Sequence, residues 1–224
     1  MQKEKLSLII PYRNRLEHLL QFLFCFEEHM QKYYSFVQYE FYIIEQYGDR
    51  KFNRGKLLNV GFDISKNECD YFCFHDVDML PIAKSSDYSV VKYPTHMAKH
   101  CTQFKYKHPY WSYFGGVTFF DKESFIKCQG FSNTMWGWGY EDDDLFARVN
   151  AFEIPIEHRD GYFYTFDHER DCSEHLNNYH KSLACKKEDY FNDGLLTLDY
   201  KIVNKKTIKF PTSNILTKHF LVNI

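Results

Sequence analysis

Residues 131–146 read FSNTMWGWGYEDDDLF. Trp136 and Trp138 alternate with Gly137 and Gly139, and four consecutive carboxylates follow: Glu141, Asp142, Asp143 and Asp144. Leu145, Phe146 and Val149 then fall at helical spacing. The acids therefore sit at the start of a predicted helix, where the dipole favours the ionised form. Flat aromatic rings suit the apolar faces of a sugar ring, and carboxylates suit its hydroxyls. A carboxylate held there can also take the proton of an attacking hydroxyl. The stretch points to chemistry on a carbohydrate. The alternative is that the acids only cap a helix and face water.

Asp76-Val77-Asp78 follows the apolar run Tyr71-Phe72-Cys73-Phe74. Alternate residues past a strand point the same way, so two carboxylates can approach one hard cation such as Mg²⁺ or Mn²⁺ and bridge it to a nucleotide diphosphate. A solvated turn is the competing reading. His168, in Thr165-Phe166-Asp167-His168, is a candidate nitrogen ligand to the same ion and would favour Mn²⁺. Arg13 and Arg15 end one predicted strand, and Phe52 and Arg54 precede the second helix; both sets suit a phosphate or a uracil edge, or are simply solvated charges. Gly115 and Gly116 let backbone approach a ligand, and Tyr113 beside them can close over a sugar.

These residues need a scaffold. Apolar runs predict strands over residues 6–10, 41–44, 71–74 and 117–120, the first ended by Pro11. Helices are predicted over 15–30, with Leu16, Leu19, Leu20, Leu23 and Phe26 on one stripe, and over 54–65. Asp121 is placed to cap a further helix and Gly130 to end it. Strands alternating with helices imply an α/β sheet with a parallel portion, whose ligands sit at the carboxyl ends of strands. A length of 224 residues fits one domain, taken as 1–224.

The formal net charge of −2 gives nucleic-acid binding no electrostatic support. No apolar run reaches the roughly 20 residues needed to span a bilayer. Seven cysteines at irregular spacing read as free thiols in a reducing compartment.

Taken together, the pieces IIPYRNR, FNRGKLLNVGF, FHDVDMLP, YFGGV, GFSNTMWGWGYEDDDLFARV, TFDH and DGLLTLDY resemble the β-1,4-galactosyltransferases, including the branch that transfers galactose to xylose. The resemblance implies a nucleotide-sugar transferase (GT-A-like) fold with a Rossmann-like, mostly parallel mixed sheet. It implies Mn²⁺, UDP-galactose as donor, a saccharide acceptor and inversion at the anomeric carbon. By resemblance, Asp78 and His168 are metal ligands. Arg13, Arg15, Phe52, Arg54, Asp76, Val77, Trp138 and Glu141 bind the donor. Asp142 is the base, and Tyr110, Tyr113, Gly116 and Asp143 bind the acceptor. Members place a third ligand where this chain has Thr165 or, in the xylose branch, Arg170. Animal members are Golgi-anchored with disulfides. Without an anchor or an evident cysteine pairing, the expectation here is a bacterial cytoplasmic enzyme, free or in peripheral contact with the inner face of the membrane. Its expected acceptors are glycolipid or surface-polysaccharide precursors, lipid-linked ones included. A carbohydrate-binding module with a degenerate site and a metal-dependent nucleotide-sugar hydrolase are the alternatives.

Overall fold

The computed structural model describes residues 4–209 and 215–224. Strand β1 (Lys5–Tyr12), helix α1 (Leu16–Tyr33), strand β2 (Gln38–Gln46), helix α2 (Arg54–Ser65) and strand β3 (Tyr71–His75) form two successive β-α-β crossovers that leave β2 and β3 on opposite sides of β1. Strand β4 (Met79–Pro81) leaves that sheet; short strands β5 (Thr95–His96) and β6 (His100–Cys101) follow. Then come β7 (Val117–Asp121), α3 (Lys122–Lys127), α4 (Glu141–Ala151), β8 (Glu157–His158), β9 (Tyr162–Thr165), α5 (His175–Ala184), β10 (Lys201–Lys209) and β11 (Leu216–Asn223). The large sheet runs β10-β11-β2-β1-β3-β7-β5-β8. Its centre, β11-β2-β1-β3, is parallel, while β7 pairs antiparallel with β3 and β10 with β11.

Strands buried on both faces read as continuous apolar runs. Leu6, Leu8 and Ile10 pack under α1 with Phe22, Phe26 and Phe41, and Ile9 points the other way, against Leu57, Leu58 and Phe62. The second crossing is close: a β-carbon on Gly61 of α2 would stand 2.2 Å from Cγ2 of Ile9. Asn53 caps α2, its Oδ1 accepting from the Lys56 N–H at 2.8 Å, and Asp121 caps α3 in the same way through Ser124. Gly130 stops the chain after α3 with φ of 64°.

Two expectations need correcting. Pro11 does not end β1; the strand runs on to Tyr12, with Pro11 opposite Ile44 of β2. The ladder to β3 stops at Ile9, so the final residues of β1 lie past that neighbour, where a proline is tolerated. In α1 the buried stripe is Leu19, Phe22, Leu23, Phe26 and Met30, whereas Leu16 and Leu20 are exposed. Five apolar positions within one window do not specify which arc of a helix meets the core. All seven cysteines are free thiols, four of them buried. No helix among the described residues is long and apolar enough to cross a membrane.

Candidate active site

A small sheet, β4-β9-β6, assembles the cation-binding candidates. Asp78 directly precedes β4 and His168 lies just past β9, and these two strands pair antiparallel with Met79 opposite Thr165. The Phe166 N–H donates to the Asp78 carbonyl at 2.9 Å, which carries the chain onward to His168. His168 Nε2 thereby lies 2.7 Å from Asp78 Oδ2. Its Nδ1 lies 2.7 Å from the Glu169 carbonyl and 2.9 Å from Arg15 Nη2, contacts that hold the ring with Nε2 toward Asp78. Arg15 adds Nη1 at 3.6 Å from Asp78 Oδ2. The hydrogen bond from His168 and the charge of Arg15 hold Asp78 below its usual range despite burial, and Asp78 in turn raises His168.

Asp76 behaves differently. Burial raises its pKa more than Arg54 lowers it, although Arg54 Nε donates to Asp76 Oδ1 at 2.6 Å. Arg54 also reaches Glu141 Oε1, at 3.5 Å from Nη1. Burial works against the arginine's charge, but Asp76, Glu141 and Asp142 together keep its pKa above the ordinary value. One guanidinium thus sits among three carboxylates drawn from β3 and α4.

Helix α4 starts from Tyr140 in the left-handed region, φ 72°. Burial and the neighbouring Asp142 charge push Glu141 up to about 7, and burial with Asp142 pushes Asp143 to about 6. Asp142 is raised too, by burial, against the opposing pull of Arg54 and the backbone amides of 142 and 143. Burial therefore outweighs the helix dipole at this carboxylate. A base with a raised pKa accepts a proton more readily near neutral pH. The alternative of four water-facing acids fails: Asp144 is fully buried and salt-bridged to Arg148 at 2.6 Å, and the other three are partly buried.

Two cavities meet here. One of about 260 Å³ is lined by every donor-side candidate, Arg13, Arg15, Phe52, Arg54, Asp76, Val77, Trp138 and Glu141, together with Asp78 and His168. Arg13 stacks over Phe52, 5.4 Å from the ring centre. The other, of about 760 Å³, is lined by Tyr110, Tyr113, Gly116, Asp142 and Asp143. Arg54, Asp76, Asp78, Trp138, Glu141, His168 and Arg170 line both, so they form the boundary. Tyr110 donates to Asp143 Oδ2 at 3.3 Å, and burial raises both Tyr110 and Tyr113, keeping them neutral phenols. Gly115 opens the inner end of the second cavity, and what it admits is the Asp142 carboxylate itself. Gly116, at φ 77°, packs against Met79 and Ala98.

Neither proposed third ligand faces Asp78. The Thr165 hydroxyl is bonded to Thr102 Oγ1 at 2.7 Å and to the Gln103 N–H at 3.1 Å. Arg170 donates to Gln103 Oε1 at 2.8 Å and lies over Trp138 at 5.3 Å. Among the described residues no cluster of three or more His, Cys, Asp or Glu side chains is placed to hold a metal.

Several residues that sequence reasoning passed over shape the site. Asn178 of α5 donates to the Trp136 and Gly139 carbonyls, pinning the Trp-Gly-Trp-Gly turn. His175 stacks on Trp138 with centroids 5.2 Å apart and nearly parallel planes. His96 is buried, and burial lowers it to about 3, so the neutral ring donates from Nε2 to the Gly115 carbonyl at 3.0 Å. None carries a local motif; a polar residue in an amphipathic helix, as at Asn178, is the only signal in the sequence.

Comparison with known proteins accords with this geometry. A family model described as the N-terminal region of glycosyl transferase group 7 matches residues 1–90, and one described as the N-terminal domain of galactosyltransferase matches residues 95–169. Human beta-1,4-galactosyltransferase 1 is 37% identical over 206 residues, covering 89% of this chain and 51% of its own length. The chain thus spans about half of that relative. The catalytic domain of Drosophila beta-1,4-galactosyltransferase 7, in complex with xylobiose, superposes with a TM-score of 0.86 at 26% identity, covering 99% of this chain and 94% of that one. A mutant of the Drosophila enzyme, in complex with manganese, UDP-Gal and xylobiose, gives a TM-score of 0.83 at 25% identity, with the same coverage. The fold is the GT-A nucleotide-sugar transferase fold, an α/β architecture around a mixed sheet with a parallel centre. By these matches over most of its length, the chain belongs to the β-1,4-galactosyltransferase family.

Proposed function

We propose that this chain transfers galactose from UDP-galactose to a hydroxyl of a saccharide acceptor, with inversion and a β-1,4 linkage. The observation that carries the reading is the shared wall of the two cavities. The arginine-lined pocket and the carboxylate-lined one meet at Asp76, Asp78, Trp138 and Glu141, where a sugar attached to a diphosphate would face an incoming hydroxyl. The nucleotide diphosphate takes the smaller pocket, with Arg13, Arg15 and Arg54 offering charge and Phe52 a flat surface.

The donor set at Asp78 and His168 fits Mn²⁺: one carboxylate oxygen and one imidazole nitrogen converge, and His168 Nδ1 is anchored on a carbonyl. A cation held by Asp78 and His168 would leave room in its shell for oxygens of the nucleotide and for water. When bound, it neutralises charge on the departing diphosphate. The protein does the rest. Asp142, held against the Gly115 backbone, accepts the proton of the acceptor hydroxyl as that oxygen attacks the anomeric carbon from the face opposite UDP. Asp143, with Tyr110 bonded to it, orients the acceptor. Glu141, bridged to Arg54, contacts the donor sugar. Trp138, half-exposed on the boundary of both cavities, excludes water when the turn closes.

The acceptors we favour are precursors of glycolipids or surface polysaccharides. The test is UDP-galactose and Mn²⁺ offered with an array of acceptor glycans, with linkage analysis of products, alongside Asp142→Asn. That variant should bind UDP with unchanged affinity and lose about 10²–10⁴ in kcat. Near-normal transfer by it would place the base elsewhere, and donor turnover without any acceptor would favour a hydrolase.

A further inference from the structure

His96 of β5 is fully buried and lines neither cavity, yet its ring meets three consecutive residues of the loop before β7. It packs edge-on to Tyr113, with centroids 5.2 Å apart and planes at 86°. It lies 5.9 Å from the Phe114 ring, and its Nε2 donates to the Gly115 carbonyl at 3.0 Å. The backbone beneath the ring is held on both sides, His96 standing opposite Thr118 of β7 and His158 of β8. Beside the Gly115 α-carbon lie Asp142 and Tyr113: a β-carbon there would come within 2.3 Å of Asp142 Oδ2 and 3.1 Å of Tyr113 Cε2.

A histidine is a costly way to fill this space. Its Nδ1 is buried without a hydrogen-bond partner, a penalty that a phenylalanine would avoid. Burial keeps the ring neutral, with its one proton on Nε2 facing Gly115. Nor does the Gly115 carbonyl need the imidazole for satisfaction alone. It already accepts from the Val117 N–H at 3.0 Å, a bond local to the turn. The imidazole bond comes from 19 residues away in the chain. What this second bond adds is position: it ties the loop that seats Asp142 to a strand of the main sheet.

Resting on the galactosyl-transfer reading, we propose that His96 is a positioning residue for the reaction: through the Gly115 backbone it sets where Asp142 stands relative to the attacking hydroxyl. It touches no sugar itself. Its effect passes through one carbonyl and one bare α-carbon, and the same ring steadies Tyr113, so the base and one acceptor wall share a support.

The test is a double-mutant cycle between His96 and Asp142, read in kcat and in the KM for UDP-galactose. His96→Phe keeps the ring and loses the donor. It should lower kcat by about 10–10²-fold with that KM unchanged. His96→Gln, whose amide reaches as far as Nε2, should recover most of the rate; His96→Asn, whose amide stops at the level of Nδ1, should not. In the Asp142→Asn background His96→Phe should cost less than about threefold, because two residues that act as one unit do not add. Equal factors in the two backgrounds overturn the proposal, since His96 would then act on the fold at large; so does normal kcat in His96→Phe. If His96→Phe does not fold, the Gln and Asn variants run the same cycle. The crystal structure of the variant that loses the bond gives a readout without turnover: Asp142 should be displaced from Gly115, and an unmoved carboxylate overturns the proposal. If wild type galactosylates no acceptor, the transfer reading fails, and that structure alone decides whether His96 seats Asp142.

Discussion

A β-carbon at Gly115 would stand 2.3 Å from Oδ2 of Asp142. The bare backbone of one loop is thus the seat of a carboxylate on α4, and His96 holds that backbone through the Gly115 carbonyl. Gly115→Ala should push Asp142 away by a fraction of an ångström to an ångström while leaving the donor pocket intact. A displacement of that size at a reacting group costs about 10²-fold. We expect kcat to fall by about that factor with UDP affinity, measured by calorimetry, unchanged. Equal kcat in the variant would show that the carboxylate does not need this seat.

A proton on His168 Nε2 is held by Asp78, since Nε2 and Oδ2 are 2.7 Å apart and each group shifts the other's pKa in favour of charge. A cation must displace that proton. Mn²⁺ affinity in the presence of UDP should therefore rise with pH until His168 is neutral. Calorimetry in buffers of different ionisation heat should detect proton release in wild type. Asp78→Ala and His168→Ala should each lose Mn²⁺ binding; retention by either removes that residue from the ligand set.

Glu141 carries a stability cost that depends on pH. Its folded pKa is raised from 4.5 to about 7, by burial first and by Asp142 next. Below pH 4.5 it is protonated in both the folded and unfolded chain. Between 4.5 and about 7 the folded state binds the extra proton, so stability falls as pH rises through that window. Glu141→Gln, neutral throughout, should show a smaller drop in Tm from pH 4.5 to pH 8 than wild type, together with a loss of transfer. Superimposable Tm profiles would mean the carboxylate is not strained by its site.

Arg148 has no exposed side-chain surface, and it joins Asp144 at 2.6 Å to Asp193 at 3.0 Å while donating to the Asp193 carbonyl. Asn133, bonded to both Asp193 and Asn59, continues this network to α2, which carries Arg54. Truncating one partner of a buried ion pair leaves the other uncompensated. Arg148→Ala should therefore cost about 3–5 kcal/mol in chemical denaturation. Arg148→Lys should recover little, because an ammonium cannot reproduce the fork that meets three acceptors. A loss under 1 kcal/mol would contradict this role.

Much of the site was legible before folding was considered. The Asp-Val-Asp after an apolar strand, the capping Asp121, and the acids opening α4 all depend on near neighbours in the chain, and each stands where local rules put it. Local chemistry could not say that Asp76 and Asp78 would shift in opposite directions. Burial carries Asp76 up past the pull of Arg54, while His168 and Arg15 hold Asp78 down, and all three partners reach them from distant elements. Nor could it turn Leu16 and Leu20 outward, since the exposed arc of α1 is decided by what the rest of the chain packs against it. The contact of Gly115 with Asp142, the bracing of Trp138 by His175 and Arg170, and the staple from Asn178 to the tryptophan turn are meetings of remote segments. The amino-acid order set which groups were available and which local structures held them. Only close packing of the whole chain set the distances and the loss of water that convert those groups into a site.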